Sequence, residues 1–165
     1  MGYDVQIHKF ELNAVIELQG EFGAITDWIK GDFSSFPNKP NTSSTSGILD
    51  LYWIAPERWL LRSDIKNEDK LLEITNPSAA PVDISIVQIS DTLKFFKIIG
   101  PDAGEIISTA CPIDHHISAF PENGVSYTNI FGIKGILIRI KGGFEIAVES
   151  SFADLIEDYL ARTNA

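Results

Sequence analysis

Gly135-Ile-Leu-Ile-Arg-Ile-Lys-Gly-Gly-Phe-Glu-Ile-Ala-Val-Glu149 carries two alternating apolar runs on either side of a glycine pair. Ile136, Ile138 and Ile140 repeat at every second position, and so do Phe144, Ile146 and Val148. Side chains on a strand point to alternate faces, so period two on both flanks of a short Gly-rich segment reads as an antiparallel hairpin. A Gly142-Gly143 loop would set Ile140 across from Glu145. A three-residue loop, Lys141-Gly142-Gly143, sets Ile140 against Phe144 and Ile138 against Ile146. The second choice keeps like residues on one face and is the expected register.

The same reading extends in both directions. Ser151-Phe-Ala-Asp154 follows directly, in capping-box form, and predicts a final helix. Phe152, Leu155, Ile156, Tyr159 and Leu160 form its apolar stripe, and Asp158 is placed to pair with Arg162. Upstream, Leu93–Ile99 reads as a strand buried on both sides. Gly100-Pro101-Asp102 then opens a helix that ends near Cys111-Pro112. Further strands are expected at Phe10–Leu18, Ile48–Ile54, Trp59–Arg62 and Val82–Ile86, with a short helix over residues 66–74 capped by Asp64. Residues 33–46, crowded with Ser, Thr, Asn and Pro, are expected to form a long loop. Hairpins mixed with helices place the chain in the α+β class, with a mainly antiparallel sheet and a few helices.

The chain has 165 residues. Its 18.2 kDa would bury about 69% of the extended surface, which supports one core and leaves two marginal. A single domain over 1–165 is the expectation. The net charge is −10, and residues 1–82 and 83–165 each carry −5. No two Lys or Arg residues adjoin. A phosphate backbone or an anionic membrane is therefore an unsuitable partner. No signal-like n-region or h-region and no apolar run near 20 residues occurs, so the expected location is the cytoplasm.

The inventory of reactive groups is short. Cys111 is the one cysteine, and His8, His115 and His116 are the only histidines. A thiolate zinc site lacks ligands, and adjacent histidines diverge on either a strand or a helix. Cys111 with Asp114, His115 and His116 could form a thiolate, base and orienting carboxylate. A small buried cysteine at a helix end is the better-founded reading. Gly132, Gly135, Gly142 and Gly143 do not form a dinucleotide fingerprint, and there is no Walker motif. Trp28, Trp53 and Trp59 could line a pocket, although core packing is the commoner use. No catalytic residue, no metal ligand set and no cofactor loop is assigned on residue chemistry.

Read in order, several segments resemble the gamma subunit of heterotetrameric sarcosine oxidase. Trp53-Ile-Ala-Pro-Glu-Arg-Trp-Leu-Leu61 is similar to that family's Gly-Pro-Asp-Glu-Trp-Leu-Leu segment, and Asp83-Ile-Ser85 to its Asp-Val-Ser. Ile99-Gly-Pro-Asp-Ala103 precedes a helix as it does there. Cys111-Pro-Ile-Asp114 with Phe120-Pro-Glu-Asn-Gly124 resembles Cys-Pro-Leu-Asp followed by Phe-Pro-x-Gly, and Ser151-Phe-Ala matches the opening of the last helix. The order holds over about residues 50–162. Ala55, Arg58 and His115 depart from it, standing for Gly, Glu and Leu.

The resemblance implies a fold similar to the folate-binding domain of glycine-cleavage aminomethyltransferase. It also implies a non-catalytic subunit that docks on an alpha-like partner beside beta and delta chains. FAD, FMN, NAD and tetrahydrofolate would belong to the partner subunits, and none is expected on this chain. The complex would oxidise sarcosine to glycine and peroxide and pass the one-carbon unit to tetrahydrofolate. A free-standing folate-binding module, or a subunit of a related N-methyl amine oxidoreductase, is the alternative.

Overall fold

The computed structural model describes residues 2–29 and 35–165. In chain order the elements are β1 (Gln6–Lys9), β2 (Asn13–Gln19), α1 (Phe22–Trp28), β3 (Ser43–Ser46), β4 (Leu49–Ala55), β5 (Arg58–Asp64), α2 (Glu68–Thr75), β6 (Ser85–Gln88), β7 (Leu93–Ile99), α3 (Ala103–Ala110), β8 (Val125–Ile130), β9 (Ile133–Ile140), β10 (Gly143–Glu149) and α4 (Ala153–Thr163). Every strand pairing is antiparallel. The class is α+β, as the alternating patterns predict. The 1–165 span, expected as one domain, divides into two compact units: Met1–Glu11 with Thr92–Ala165, and Leu12–Asp91.

The first unit is a five-stranded sheet in the order β1-β7-β10-β9-β8. Phe96, Ile98, Leu137, Phe144, Ile146 and Val148 supply one face of its core, against Ile106 and Ile107 of α3 and Ile156 and Leu160 of α4. The helix after Gly100-Pro101-Asp102 forms as expected and stops at Cys111, whose extended backbone precedes Pro112. Pro disfavours helical geometry in the residue before it.

The β9–β10 register corrects the expectation. Gly143 pairs with Ile140, Phe144 with Arg139 and Ile146 with Leu137, so the loop is the two residues Lys141-Gly142. Gly142, at φ +80°, supplies the positive φ that the turn needs. The alternation argument failed because it assumed one dry face. Ile136, Ile138 and Ala147 are buried as fully as Leu137 and Ile146 on the opposite face. When both faces are dry, hydrophobic matching no longer distinguishes one register from another.

The final helix also differs in detail. Ser150–Phe152 forms a 3-10 turn, and Phe152 takes the cap position without a side-chain cap bond, so no capping box forms. Ala153, Ile156 and Leu160 are buried, whereas Phe152 and Leu155 are exposed. The early 3-10 turn moves the helix start past Ser151, and the buried stripe lies to one side of the expected one. The Asp158–Arg162 pair forms at 2.9 Å. Asp154 and Glu157 both reach Lys9 of β1, at 3.3 and 2.6 Å.

The second unit is a five-stranded sheet in the order β3-β4-β5-β2-β6. Ile16, Leu18, Leu51, Trp59 and Leu61 pack against Ile25 of α1 and Leu71 of α2. Asp64 accepts a hydrogen bond from Lys66 N–H at 3.1 Å, capping the 3-10 turn that leads into α2. Part of the expected 33–46 loop is strand: Ser43–Ser46 pairs with Leu49–Tyr52. Backbone pairing at a sheet edge needs no apolar side chain, so composition concealed it. Residues 33 and 34 lie outside the described residues. The Val82–Ile86 strand begins late, at Ser85, because Ile84 N–H closes a turn onto Pro81 O at 3.0 Å. The Phe10–Leu18 strand likewise begins at Asn13.

The β4–β5 turn carries a strained residue. Glu57 follows Pro56 at φ +55°, in the left-handed region that costs a side-chain-bearing residue about 1–2 kcal/mol. Its carbonyl accepts from Gly20 N–H at 3.0 Å, so the conformation is held from outside the turn. Glu57→Gly is expected to stabilise the chain by about 0.5–1 kcal/mol, read as a higher urea midpoint with unchanged slope. A lower midpoint would show that the Glu57 side chain contributes more than its backbone strain costs.

Candidate functional site

A cavity of about 690 Å³ opens in the first unit, between the start of α3, the β9–β10 turn and the segment 115–122. Gly100, Pro101 and Gly104 form one wall, and Lys141, Gly142 and Gly143 another. His115, Glu122 and Arg139 bring the titratable groups, and Phe144 lies at the base.

Arg139 organises this place. Its Nε donates to Phe120 O at 2.9 Å, and its Nη2 donates to His115 O. The guanidinium carbon sits 4.7 Å from the Phe144 ring centroid and 5.5 Å from that of Phe120. Both distances fall within cation–π range. One long side chain thus ties segment 115–122 to β9. Burial pushes the Arg139 guanidinium below its ordinary value, and Glu122 acts in the opposite direction through space. Its hydrogen bonds are to neutral carbonyls, so a partly desolvated cation faces the cavity.

His115 completes the wall. Its ring meets Phe144 edge-on at 5.7 Å between centroids. A Cβ at position 104 would lie 3.0 Å from its Nε2, so the glycine is what lets the imidazole approach α3.

The residues singled out in the sequence do not converge. Cys111 is buried, and its Sγ meets Thr128 Oγ1 at 3.8 Å rather than an imidazole. Asp114 accepts from His116 N–H at 2.9 Å, and His116 Nδ1 bonds Ser118 Oγ at 2.8 Å. His8 lies on β1 opposite Lys97, with its ring against Phe10. No group of three or more His, Cys, Asp or Glu could hold a metal ion among the described residues. No helix among them is long and apolar enough to cross a membrane. Of Gly132, Gly135, Gly142 and Gly143, the last two reach the cavity. Among the tryptophans, Trp59 is core, Trp53 stacks on Phe22 at 5.3 Å, and Trp28 Nε1 donates to Thr75 O at 2.9 Å.

Sequence reading missed Arg139 and Glu122. The signal for Arg139 was present: a lone cation between Ile138 and Ile140 in a run otherwise apolar from Ile136. A charge in such a run is rarely left unpartnered. Glu122 carried no signal, because it sits in a turn among polar neighbours.

The comparisons with known proteins agree among themselves. The family model described as "Sarcosine oxidase, gamma subunit family" matches residues 38–165. No curated protein matches the sequence. Among solved structures, the chain is similar to a chain of the heterotetrameric sarcosine oxidase from Corynebacterium sp. U-96 in complex with pyrrole 2-carboxylate. That match has 18% identity and a TM-score of 0.80, and covers 98% of this chain and 86% of the other. It is also similar to the glycine cleavage system aminomethyltransferase T from Bartonella henselae, with 15% identity, a TM-score of 0.75, and coverage of 96% and 46%. At these identities the likeness establishes a shared fold.

Proposed function

We propose, from the premise that the chain belongs to the sarcosine oxidase gamma subunit family, that it is a non-catalytic subunit docking on an alpha-like partner in the cytoplasm. The family match over residues 38–165 carries this reading, and the fold shared with a chain of a heterotetrameric sarcosine oxidase supports it. In this reading the beta and delta chains complete the assembly. FAD, FMN, NAD and tetrahydrofolate reside on the larger subunits, where sarcosine is oxidised to glycine and its one-carbon unit passes to tetrahydrofolate. The role of this chain is to present a folded surface that the alpha-like subunit needs.

The fold shared with an aminomethyltransferase raises a free-standing folate site as the rival. A pterin ring wants an open aromatic face and a carboxylate for its amino group. The cavity offers Glu122, but the Phe144 ring is buried beneath Arg139 and flanked by His115. Those residues fit a pterin poorly, which favours the subunit reading.

Co-expression with the alpha, beta and delta chains of a sarcosine oxidase from the same source, followed by size-exclusion chromatography, tests the proposal. The chain is expected to co-elute with its partners across an interface of at least about 800 Å² per side. Elution as a monomer beside an intact complex of the other chains would overturn it.

A further inference from the structure

We infer that the cavity walled by Arg139, Lys141 and the start of α3 is a binding site for a small carboxylate, independent of any docking role.

The charge balance of the cavity is the reverse of that of the molecule. The chain carries −10 overall, yet the lining of this cavity holds two cations, Arg139 and Lys141, against one carboxylate, Glu122, with Glu105 in the first turn of α3 outside the lining. Another cavity, of about 430 Å³, has Glu68 and Asp91 in its lining and no basic residue. A cationic pocket in an acidic protein concentrates small anions, because low-dielectric walls focus the local field.

Arg139 supplies the recognition geometry. A guanidinium carries five N–H donors in a rigid fork. Two are engaged by Phe120 O and His115 O, which fixes the plane and leaves both hydrogens of Nη1 and one of Nη2. No carboxylate lies within ion-pair distance of it among the described residues; Glu122 is felt only through space. A guanidinium held over Phe144, partly desolvated and with no carboxylate in ion-pair range, is suited to a carboxylate, which Nη1 and Nη2 can meet with two parallel hydrogen bonds. Lys141, exposed on the adjacent turn, can add a second positive contact. The volume admits a ligand of several heavy atoms in addition to the carboxylate.

The test uses the full chain, isotopically labelled, with amide NMR shifts followed during titration with sodium succinate at fixed ionic strength. Inorganic phosphate and chloride are the comparison anions. Saturable shifts are expected at Gly104, Gly142 and Gly143, with a Kd on the order of 1 mM. Chloride should bind at least about fivefold more weakly, since a single sphere cannot accept two parallel hydrogen bonds from the fork, whereas phosphate, whose oxygens can also meet it bidentately, is expected to compete for the same site. Lys141→Gln should weaken succinate about two- to fivefold, and Glu122→Gln should tighten it by a similar factor, as expected for exposed charges. Arg139→Lys keeps the charge and loses the fork, and should weaken binding about tenfold or more. If that variant loses its native spectrum, the two surface variants decide the matter, since neither side chain is buried. Calorimetry on the chain co-purified with its partners should give the same affinity. Linear, non-saturating shifts up to about 50 mM succinate would overturn the inference. So would chloride binding as tightly as succinate, an unchanged Kd in both surface variants, or loss of binding in the complex, which would mean that a partner side chain fills the cavity.

Discussion

Gly143→Ala is expected to cost about 3 kcal/mol or more of folding stability, far above the usual effect of adding one methyl group. The reason is the place where β10 begins. Gly143 sits beside Ile99 of β7 on one side and Ile140 of β9 on the other. A Cβ there would lie 2.0 Å from Ile98 O, 3.0 Å from Ile98 C and 3.1 Å from Ile99 Cα. All three are backbone atoms of a strand with β1 on its other flank, so no side chain can rotate to relieve the overlap. Either β7 shifts within its sheet or the first pair of β10 opens, and each outcome sacrifices ladder bonds and core packing. Gly142→Ala is the control. Its nearest neighbour is Ile99 Cγ2 at an ordinary 3.6 Å, but φ is +80°, so the cost should be about 1 kcal/mol of backbone strain alone. Urea unfolding followed by circular dichroism separates the two. If Gly143→Ala unfolds within about 1 kcal/mol of the parent, β7 is more compliant than a central strand should be.

The same junction explains what the sequence could and could not convey. Leu93–Ile99 and the helix after Asp102 were legible, because a continuous apolar run and a Gly-Pro-Asp start are local signals. The hairpin was legible as a hairpin, but its register depends on which faces are dry, and that is a property of the packed sheet rather than of the strand. The β3 edge was illegible for a related reason: Ser43–Ser46 is held by backbone bonds to β4, and its side chains announce nothing. The cavity was the least legible feature. Glu122 and Arg139 are separated by a turn and two strands' worth of chain, and they line one cavity because Arg139 reaches back to the carbonyls of His115 and Phe120. The family-like segments, by contrast, fall on positions that build the two cores: Trp59, Ile99–Ala103, Cys111 and Phe120 are buried or lie at element boundaries. The resemblance was readable because those contacts constrain residue type directly.

Trp59→Ala should be the most damaging side-chain truncation in the second unit, at about 4 kcal/mol. Trp59 is fully buried in the β2–β4–β5 core. It pairs across the ladder with Trp53, ring centroids 5.2 Å apart, and touches Phe22 at 6.3 Å and Phe36 at 6.4 Å. Removing it leaves a void beneath the Phe22–Trp53 stack, whose outer members are only partly covered. The informative companion is Trp59→Phe. The indole Nε1 of Trp59 is buried with no hydrogen-bond partner, a condition that costs about 1–3 kcal/mol in its own right. Phenylalanine loses some packing volume but also removes that orphaned donor, and the two changes oppose each other. Trp59→Phe should therefore cost about 1 kcal/mol or less, while Trp59→Ala gains the same polar relief and still loses the whole ring system. Urea midpoints give the two costs, and the change in emission of the two remaining indoles, Trp28 and Trp53, reports whether the stack survives. If phenylalanine costs as much as alanine, the indole N–H is stabilised by a partner such as a bound water or the face of a neighbouring ring, and the hydrophobic account of this cluster is wrong.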